Sequence, residues 1–157
     1  FGTKQNNNKS SVINIEDVTA LSWGHFEALI AEIYAVNAKE VKLTSKSSDH
    51  NCDVVVIGEE QNILIQVKHH ANIEGIEGIY AIYEIESARE YYEDKLNLKF
   101  EKLLVYTTYK KYEKQATETA KRLNVELKKY QDLKTDLSEK QITFEQVLRR
   151  DRNRHPI

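Results

Sequence analysis

The chain has 157 residues, of which 40% are hydrophobic and 31% charged, with a formal net charge of −2. This composition is typical of a soluble globular domain with a hydrophobic core, and no apolar run approaches the roughly 20 residues that a bilayer-spanning helix needs. The single cysteine, Cys52, excludes an internal disulfide and favours a reducing cytoplasm.

The N-terminal part of the chain is predicted to have two parts, a lead-in and a helix. Residues 1–18 are expected to be a flexible lead-in or linker, because the polar run 6–11 has no core-forming pattern. The chain does not begin with Met, so we expect it to be part of a longer protein with further domains. Ser22 is a suitable N-cap for a helix whose apolar positions recur every three or four residues. Those positions are Phe26, Leu29, Ile30, Ile33 and Tyr34.

Three strands are predicted next, at about 40–46, 52–58 and 63–69, joined as a meander. Along the third strand, Gln66 and Lys68 point to one face and Val67 to the other, because side chains alternate. The short turn before this strand makes a hairpin. Counting outwards from that turn brings Asp53 to the same end of the sheet as Gln66 and Lys68.

This convergence predicts a site for a divalent metal. Mg²⁺ prefers oxygen ligands, which the Asp53 carboxylate, the Gln66 amide oxygen and the Val67 carbonyl oxygen would supply. Lys68 would then orient or help to deprotonate an attacking water and offset negative charge. The alternative is that these are ordinary polar residues at strand ends. His69 and His70 are not expected to be ligands, since neighbours on a strand point to opposite faces.

The second half of the chain predicts a helix at about 75–95, a strand at 102–108, a helix at 110–123 and a strand at 124–130. The inner positions of the first of these helices are expected to be Ile76, Ile79, Tyr80, Tyr83 and Ala88. Residues 136–157 are expected to form a helical or frayed extension. Strands joined through helices favour parallel pairing, so the predicted fold is α/β, a mixed five-stranded sheet with helices on both faces.

Acidic and basic residues are segregated along the chain. Residues 71–94 carry seven acids, whereas 95–130 carry ten Lys or Arg, and the tail adds four arginines. The modest interpretation is one solvated acidic helix and one basic region. A basic face is also what phosphate contacts with nucleic acid require.

The order and spacing of these elements resemble the Mrr-type restriction endonucleases, a branch of the PD-(D/E)xK nuclease superfamily in which Gln commonly replaces the second acid. The resemblance extends from Leu21 to Leu133. It is carried by segments 21–27, 44–53, 65–68, 104–108 and 116–125. One departure is the run 50–52, His-Asn-Cys, where the family usually has Gly, although Asn also accepts a positive φ.

The resemblance implies a restriction-endonuclease-like core at residues 19–135 with catalytic residues Asp53, Gln66, Lys68 and Glu27. Glu27 would lean toward the metal site, whereas from the sequence alone a solvated position favoured by the helix dipole is equally suitable. The implied activity is Mg²⁺-dependent cleavage of double-stranded DNA, with Mn²⁺ as a substitute ion. The enzyme would be a type II-like or modification-dependent endonuclease of a restriction or defence system.

Two other functions remain open at this point: a junction resolvase-like, structure-specific nuclease, and a catalytically silent DNA-binding domain of the same fold. Cutting both strands of a duplex favours a two-fold homodimer. The candidate dimer surfaces are the second helix and the segment around Ile142, Phe144 and Leu148.

Overall fold

The apolar runs of the sequence form a central five-stranded sheet in a computed structural model that describes residues 11–46 and 50–155. The strands are β1 Glu40–Leu43, β2 Val54–Ile57, β3 Asn62–Lys68, β4 Ile76–Glu77, β5 Lys102–Thr107, β6 Lys111–Tyr112 and β7 Val125–Lys128. The helices are α1 Trp23–Ala35, α2 Tyr80–Leu96, α3 Lys114–Leu123, α4 Tyr130–Glu139 and α5 Phe144–Arg152, preceded by a 3₁₀ helix at Ile15–Ala20.

The sheet has the order β1-β2-β3-β5-β7, with β4 and β6 forming a separate two-stranded sheet. β1, β2 and β3 are an antiparallel meander in which Val54 pairs with Leu43 and Ile65, whereas β3, β5 and β7 run parallel. The predicted mixed five-stranded α/β sheet is therefore confirmed. β2 begins at the edge where β1, β3, β5 and β7 end, and we call this the carboxyl edge.

Helices cover both faces of the sheet because its central strands are apolar on both sides. One face packs against the 3₁₀ helix, α1, α4 and α5, which we call the first layer, and it contributes Val54, Val56 and Ile65. The other face packs against α2 and α3, the second layer, and it contributes Val55 and Leu64. Alternation along β3 thus aims Val67 at the first layer and Gln66 and Lys68 at the second.

A network of hydrogen-bonded polar side chains lies in the first layer. The Tyr106 hydroxyl donates to Asp136 Oδ2 at 2.6 Å and lies 3.0 Å from the Tyr34 hydroxyl, while Lys128 Nζ approaches the same carboxylate oxygen at 3.1 Å. Burial raises the pKa of Tyr106, so its hydroxyl stays neutral and remains a donor. Like the site described below, this network pairs a lysine with a carboxylate.

The first predicted helix is confirmed as α1. Ser22 caps it, since its hydroxyl oxygen accepts a hydrogen bond from the His25 backbone at 3.1 Å. The predicted apolar positions are buried or, for Tyr34, partly buried against the core. Among the described residues, no helix is long and apolar enough to cross a membrane.

Residues 11–18 are packed rather than flexible, which corrects part of the predicted lead-in. Ile13 and Val18 are almost completely buried in the first layer. The segment also forms a β-bridge with the approach to α5, where Val12 pairs with Thr143. The few apolar residues of this otherwise polar segment are sufficient to anchor the segment to the core. Residues 1–10, the rest of the predicted lead-in, lie outside the described part.

The second helix begins later than predicted and is rotated about its axis. Ile76, Tyr80 and Tyr83, predicted to face inward, are exposed. The buried positions are Ala81, Ile82, Ile85, Ala88 and Tyr92, so only Ala88 of the predicted set is buried. Small alanines let the helix approach the sheet closely, and the aromatic residues of its first turn, Tyr80 and Tyr83, face outward. Residues 76–77 are not helical because they pair with β6, which also delays the start of α3.

Candidate active site

The Asp53 carboxylate is fixed against β3 at the carboxyl edge. Its side chain is 5% exposed, and Oδ2 accepts a hydrogen bond from the Val67 backbone N–H at 2.8 Å. The Asp53 backbone is held on both sides, because its N–H donates to the Ile65 carbonyl and its carbonyl accepts from the Thr44 N–H. The structure thus brings Asp53 directly beside the Gln66–Lys68 segment.

The Gln66 side chain has one satisfied and one unsatisfied end. Its Nε2 donates to Glu84 Oε2 at 2.8 Å, and since an ionised carboxylate only accepts hydrogen bonds, the amide oxygen must be the other end. This oxygen, Oε1, is buried and has no hydrogen-bond partner among the described residues. Leaving a buried acceptor unsatisfied costs about 1–3 kcal/mol. An amide oxygen beside a carboxylate is a ligand set that fits Mg²⁺.

Lys68 shares the carboxylate of Glu84. Its Nζ lies 2.9 Å from Oε2 and 3.2 Å from Oε1, and the two side chains are 27% and 31% exposed. A partly exposed ammonium at this position remains accessible to a substrate arriving from solvent. Val67, between Gln66 and Lys68, turns its side chain to the first layer, so it presents only its backbone to the site.

Sequence reasoning missed Glu84, which it placed in a solvated acidic run. On α2 this residue organises the site, because it binds both Gln66 and Lys68. The signal was the buried stripe formed by Ala81, Ile85 and Ala88, which Glu84 borders. The sequence pattern predicts a different face of α2 against the sheet, so the position of Glu84 beside Gln66 and Lys68 could not be recognised.

Glu27 reaches the carboxyl edge from the opposite layer. It is 7% exposed, and its Oε1 accepts a hydrogen bond from Arg154 Nη1 at 2.8 Å. The same guanidinium donates to the carbonyl of Thr44 at 3.0 Å, and Thr44 in turn binds the Asp53 backbone. Glu27 is therefore not a solvated surface residue, and one connection from it to the Asp53 backbone runs through Arg154 and Thr44.

Arg154 also stabilises a neighbouring acid, Asp151, at 3.0 Å. Burial opposes ionisation of this carboxyl, but the hydrogen bond from Arg154 and the charge of Lys46 outweigh burial and lower the pKa of Asp151. Asp151 therefore stays ionised at neutral pH. Of the four tail arginines, Arg154 and Arg150 are engaged in such internal pairs, the latter with Glu32 at 2.6 Å.

Both histidines after Lys68 have protein partners. His69 Nε2 lies 2.9 Å from the carbonyl of Val18. His70 Nε2 lies 2.7 Å from Glu77 Oε1, and its ring stacks on Tyr109 at 3.6 Å. Within residues 11–46 and 50–155, no three His, Cys, Asp or Glu side chains are grouped to hold a metal. Among those described residues, a metal at the carboxyl edge would be held by the Asp53 carboxylate together with neutral oxygens.

The loop before Asp53 has two residues with a left-handed backbone conformation. His50 and Asn51 have φ values of 50° and 66°, in the left-handed region, which confirms that Asn51 takes over a conformation favourable to glycine. Asn51 Nδ2 also donates to Ser87 Oγ on α2 at 3.2 Å. Cys52 is fully buried in the second layer, as expected for a packing residue. Residues 47–49 lie outside the described part.

Comparison with known proteins gives two matches. The family model Mrr_cat, described as restriction endonuclease, matches residues 18–135. The crystal structure of a protein of unknown function, AF1548, is similar with a TM-score of 0.62 at 17% identity, covering 76% of this chain and 67% of that one. At this identity the similarity shows the fold alone. A search of the curated proteins gave no match.

Proposed function

Since the chain belongs to the restriction endonuclease family of the Mrr_cat type, we propose that it is a Mg²⁺-dependent endonuclease acting on double-stranded DNA. The observation that carries the proposal is the buried, unpartnered Gln66 Oε1 in the strand segment whose Val67 N–H donates to the Asp53 carboxylate, with Lys68 two residues further on the same face. A purely structural glutamine would be expected to satisfy both ends of its amide.

The residues that would hold the ion are Asp53, Gln66 through Oε1 and Val67 through its carbonyl. When bound, Mg²⁺ or Mn²⁺ supplies Lewis-acid stabilisation of the phosphate charge and a more acidic water. With a single carboxylate, affinity for the ion is expected to be weak without DNA, because the substrate phosphate adds the missing negative oxygens.

The protein's own groups position the reactants. Lys68 orients the attacking water and offsets negative charge as the new P–O bond forms and the bond to the leaving oxygen breaks. Glu84 holds the Lys68 ammonium and the Gln66 amide next to each other, because its carboxylate accepts a hydrogen bond from each. Glu27 is proposed to belong to the site from the first layer. A catalytically silent DNA-binding domain would have no use for this arrangement.

We further propose the biological setting. The nuclease unit comprises residues 19–135, the enzyme is type II-like or modification-dependent, and it serves a restriction or defence system within a longer parent chain. Two copies related by a two-fold axis would address the two antiparallel strands. The exposed side chains of Ile76, Tyr80 and Tyr83 on and before α2 are the candidate dimer surface.

Plasmid cleavage tests the proposal directly. Supercoiled plasmid, methylated and unmethylated, is expected to be nicked and linearised with Mg²⁺ or Mn²⁺ and left intact with EDTA. A four-way junction in parallel distinguishes duplex cutting from resolvase-like activity, which would cut the junction alone. Linear product is expected to rise faster than linearly with protein concentration if the enzyme dimerises on DNA. No cleavage of either substrate under any condition would contradict the proposal.

Gln66→Glu tests the ligand assignment, because it restores the commoner second acid. On its own the new carboxylate would face Glu84 at hydrogen-bond distance, so we expect only partial activity. The double variant Gln66→Glu/Glu84→Gln exchanges the two groups and restores the hydrogen bond. Calorimetry should show Mg²⁺ binding to the exchanged pair about tenfold tighter than to wild type, about 1.4 kcal/mol. Loss of Mg²⁺ binding in the exchanged pair would show that Gln66 is not a ligand.

A further inference from the structure

Two arginines of the C-terminal segment, Arg150 and Arg154, hold this segment against α1 and β1. Arg150 lies in α5 and Arg154 two residues after its end, and both contact α1 and the β1 side. Arg150 pairs with Glu32 of α1 at 2.6 Å and donates to the Val41 carbonyl at 3.3 Å. Arg154 pairs with Glu27 of α1 and donates to the Thr44 carbonyl. We call these two residues the arginine clip.

The two members of the clip differ in what they hold. Arg150 reaches the middle of β1, whereas Arg154 reaches Thr44, the residue after β1 at the carboxyl edge. Thr44 donates from its backbone N–H to the Asp53 carbonyl at 3.1 Å, and its hydroxyl lies 2.8 Å from the Cys52 carbonyl and 3.2 Å from the Asp53 carbonyl. Arg154 is thus the member of the clip that is connected to the proposed metal ligand.

The Arg154–Glu27 pair is also the more enclosed of the two. Its side chains are 8% and 10% exposed, against 26% and 15% for Arg150 and Glu32. Removing the Arg154 guanidinium would leave this buried carboxylate without that counter-charge, which is unfavourable. The position of Glu27 therefore depends in part on Arg154.

We propose that Arg154 is a positioning residue for the nuclease reaction, which it supports chiefly through its ion pair with Glu27, held at the end of β1 where Thr44 binds the Asp53 backbone. The proposal rests on the nuclease function proposed above. Its second effect is electrostatic, because the guanidinium offsets two acids, Glu27 and Asp151, close to where a phosphate must approach. The family match ends at residue 135, before α5, so the match does not assign this role.

Arg154→Ala and Arg150→Ala form a matched pair for the test. Both remove one salt bridge to α1 and one hydrogen bond to a β1-side carbonyl, but Arg154→Ala also removes contacts with Asp151 and the Gly24 carbonyl, so cleavage rates are compared at equal concentrations of folded protein. At saturating DNA and Mg²⁺, Arg154→Ala is expected to cut about 100-fold more slowly than wild type, the usual cost of a misplaced active-site group. Arg150→Ala should stay within about threefold, and added guanidinium should partly restore Arg154→Ala alone.

A double-mutant cycle separates positioning from a general loss of structure. If Arg154 acts through Glu27, adding Arg154→Ala to Glu27→Gln should slow cleavage by less than about threefold, because the neutral amide no longer needs a counter-charge. Should Arg154→Ala fail to fold, Arg154→Lys replaces it, since the lysine keeps the charge but loses the forked contacts. An independent 100-fold loss in both backgrounds would overturn action through Glu27.

The outcomes distinguish this inference from the proposed function. If wild type and Asp53→Asn are equally inactive on DNA, the nuclease function fails and the role of Arg154 with it. If wild type cuts, Asp53→Asn does not, and Arg154→Ala cuts as fast as Arg150→Ala, the function stands and the positioning role is overturned.

Discussion

Asp53→Asn is expected to reduce DNA cleavage to less than about a thousandth of the wild-type rate. The substitution removes the only carboxylate assigned to the metal while keeping an oxygen that can accept the Val67 N–H hydrogen bond. The fold should therefore be retained, and Asp53→Ala should be equally inactive. DNA binding should be unchanged or tighter, because a negative charge facing the phosphate is lost. Plasmid cleavage and fluorescence-anisotropy binding on the same preparation measure both effects.

Asp136→Asn is the control for this variant. Asp136 is also an enclosed carboxylate, but its partners are Tyr106 and Lys128, and it belongs to the Tyr106 network of the first layer. Its replacement should lower the free energy of unfolding while cleavage by the folded protein stays within a few-fold of wild type. Near wild-type cutting by Asp53→Asn would show that the metal site has been assigned to the wrong acid.

Lys68→Met is the second variant with a large expected effect, a loss of about 10² to 10⁴ in cleavage rate. The ammonium that orients water and offsets developing charge is removed, and the aliphatic stem is largely preserved. Equilibrium DNA binding should weaken only modestly, with the slope of log affinity against log salt falling by about one, as for the loss of one phosphate contact. Single-turnover cleavage and salt titration of binding separate the two contributions.

Lys128→Met provides the comparison, since Lys128 forms a similar half-buried pair with Asp136 at 3.1 Å. Its side chain is 22% exposed, close to the 27% of Lys68, so the two substitutions disturb comparable environments. We expect cleavage by Lys128→Met to be nearly normal. Equal losses in the two variants would indicate that removing any such ion pair damages the enzyme and that Lys68 has no special part.

The sheet and its site strands were predictable because their signals are local. Alternation along residues 63–68 determines which side chains share a face, and the short turn determines the register that brings Asp53 level with Gln66. The order of apolar runs then predicts the parallel strands. Asp53, Gln66 and Lys68 were accordingly brought together by counting along the chain, although their roles remain predictions.

Features that depend on contacts distant in sequence were not predictable in the same way. The orientation of α2 depends on which of its two apolar faces packs on the sheet. The face that contains the alanines is buried, whereas Tyr80 and Tyr83 are exposed. Glu84 was missed with that orientation. The short helix α4 was not predicted, and the anchoring of residues 11–18 depends on Thr143 and Ile142 at the other end of the chain. Arg154 likewise meets Glu27 across most of the sequence.

The arginine clip has a consequence for biosynthesis. During translation, the ribosome adds Asp53, Gln66 and Lys68 early. Arg154 is added later, after more than half of the length of the chain has been synthesised beyond Lys68. Under the proposed role for Arg154, a nascent or prematurely terminated polypeptide carries the metal-binding residues without the group that holds Glu27. The order of synthesis would then delay the proposed cleavage until the segment that carries Arg154 has packed against α1.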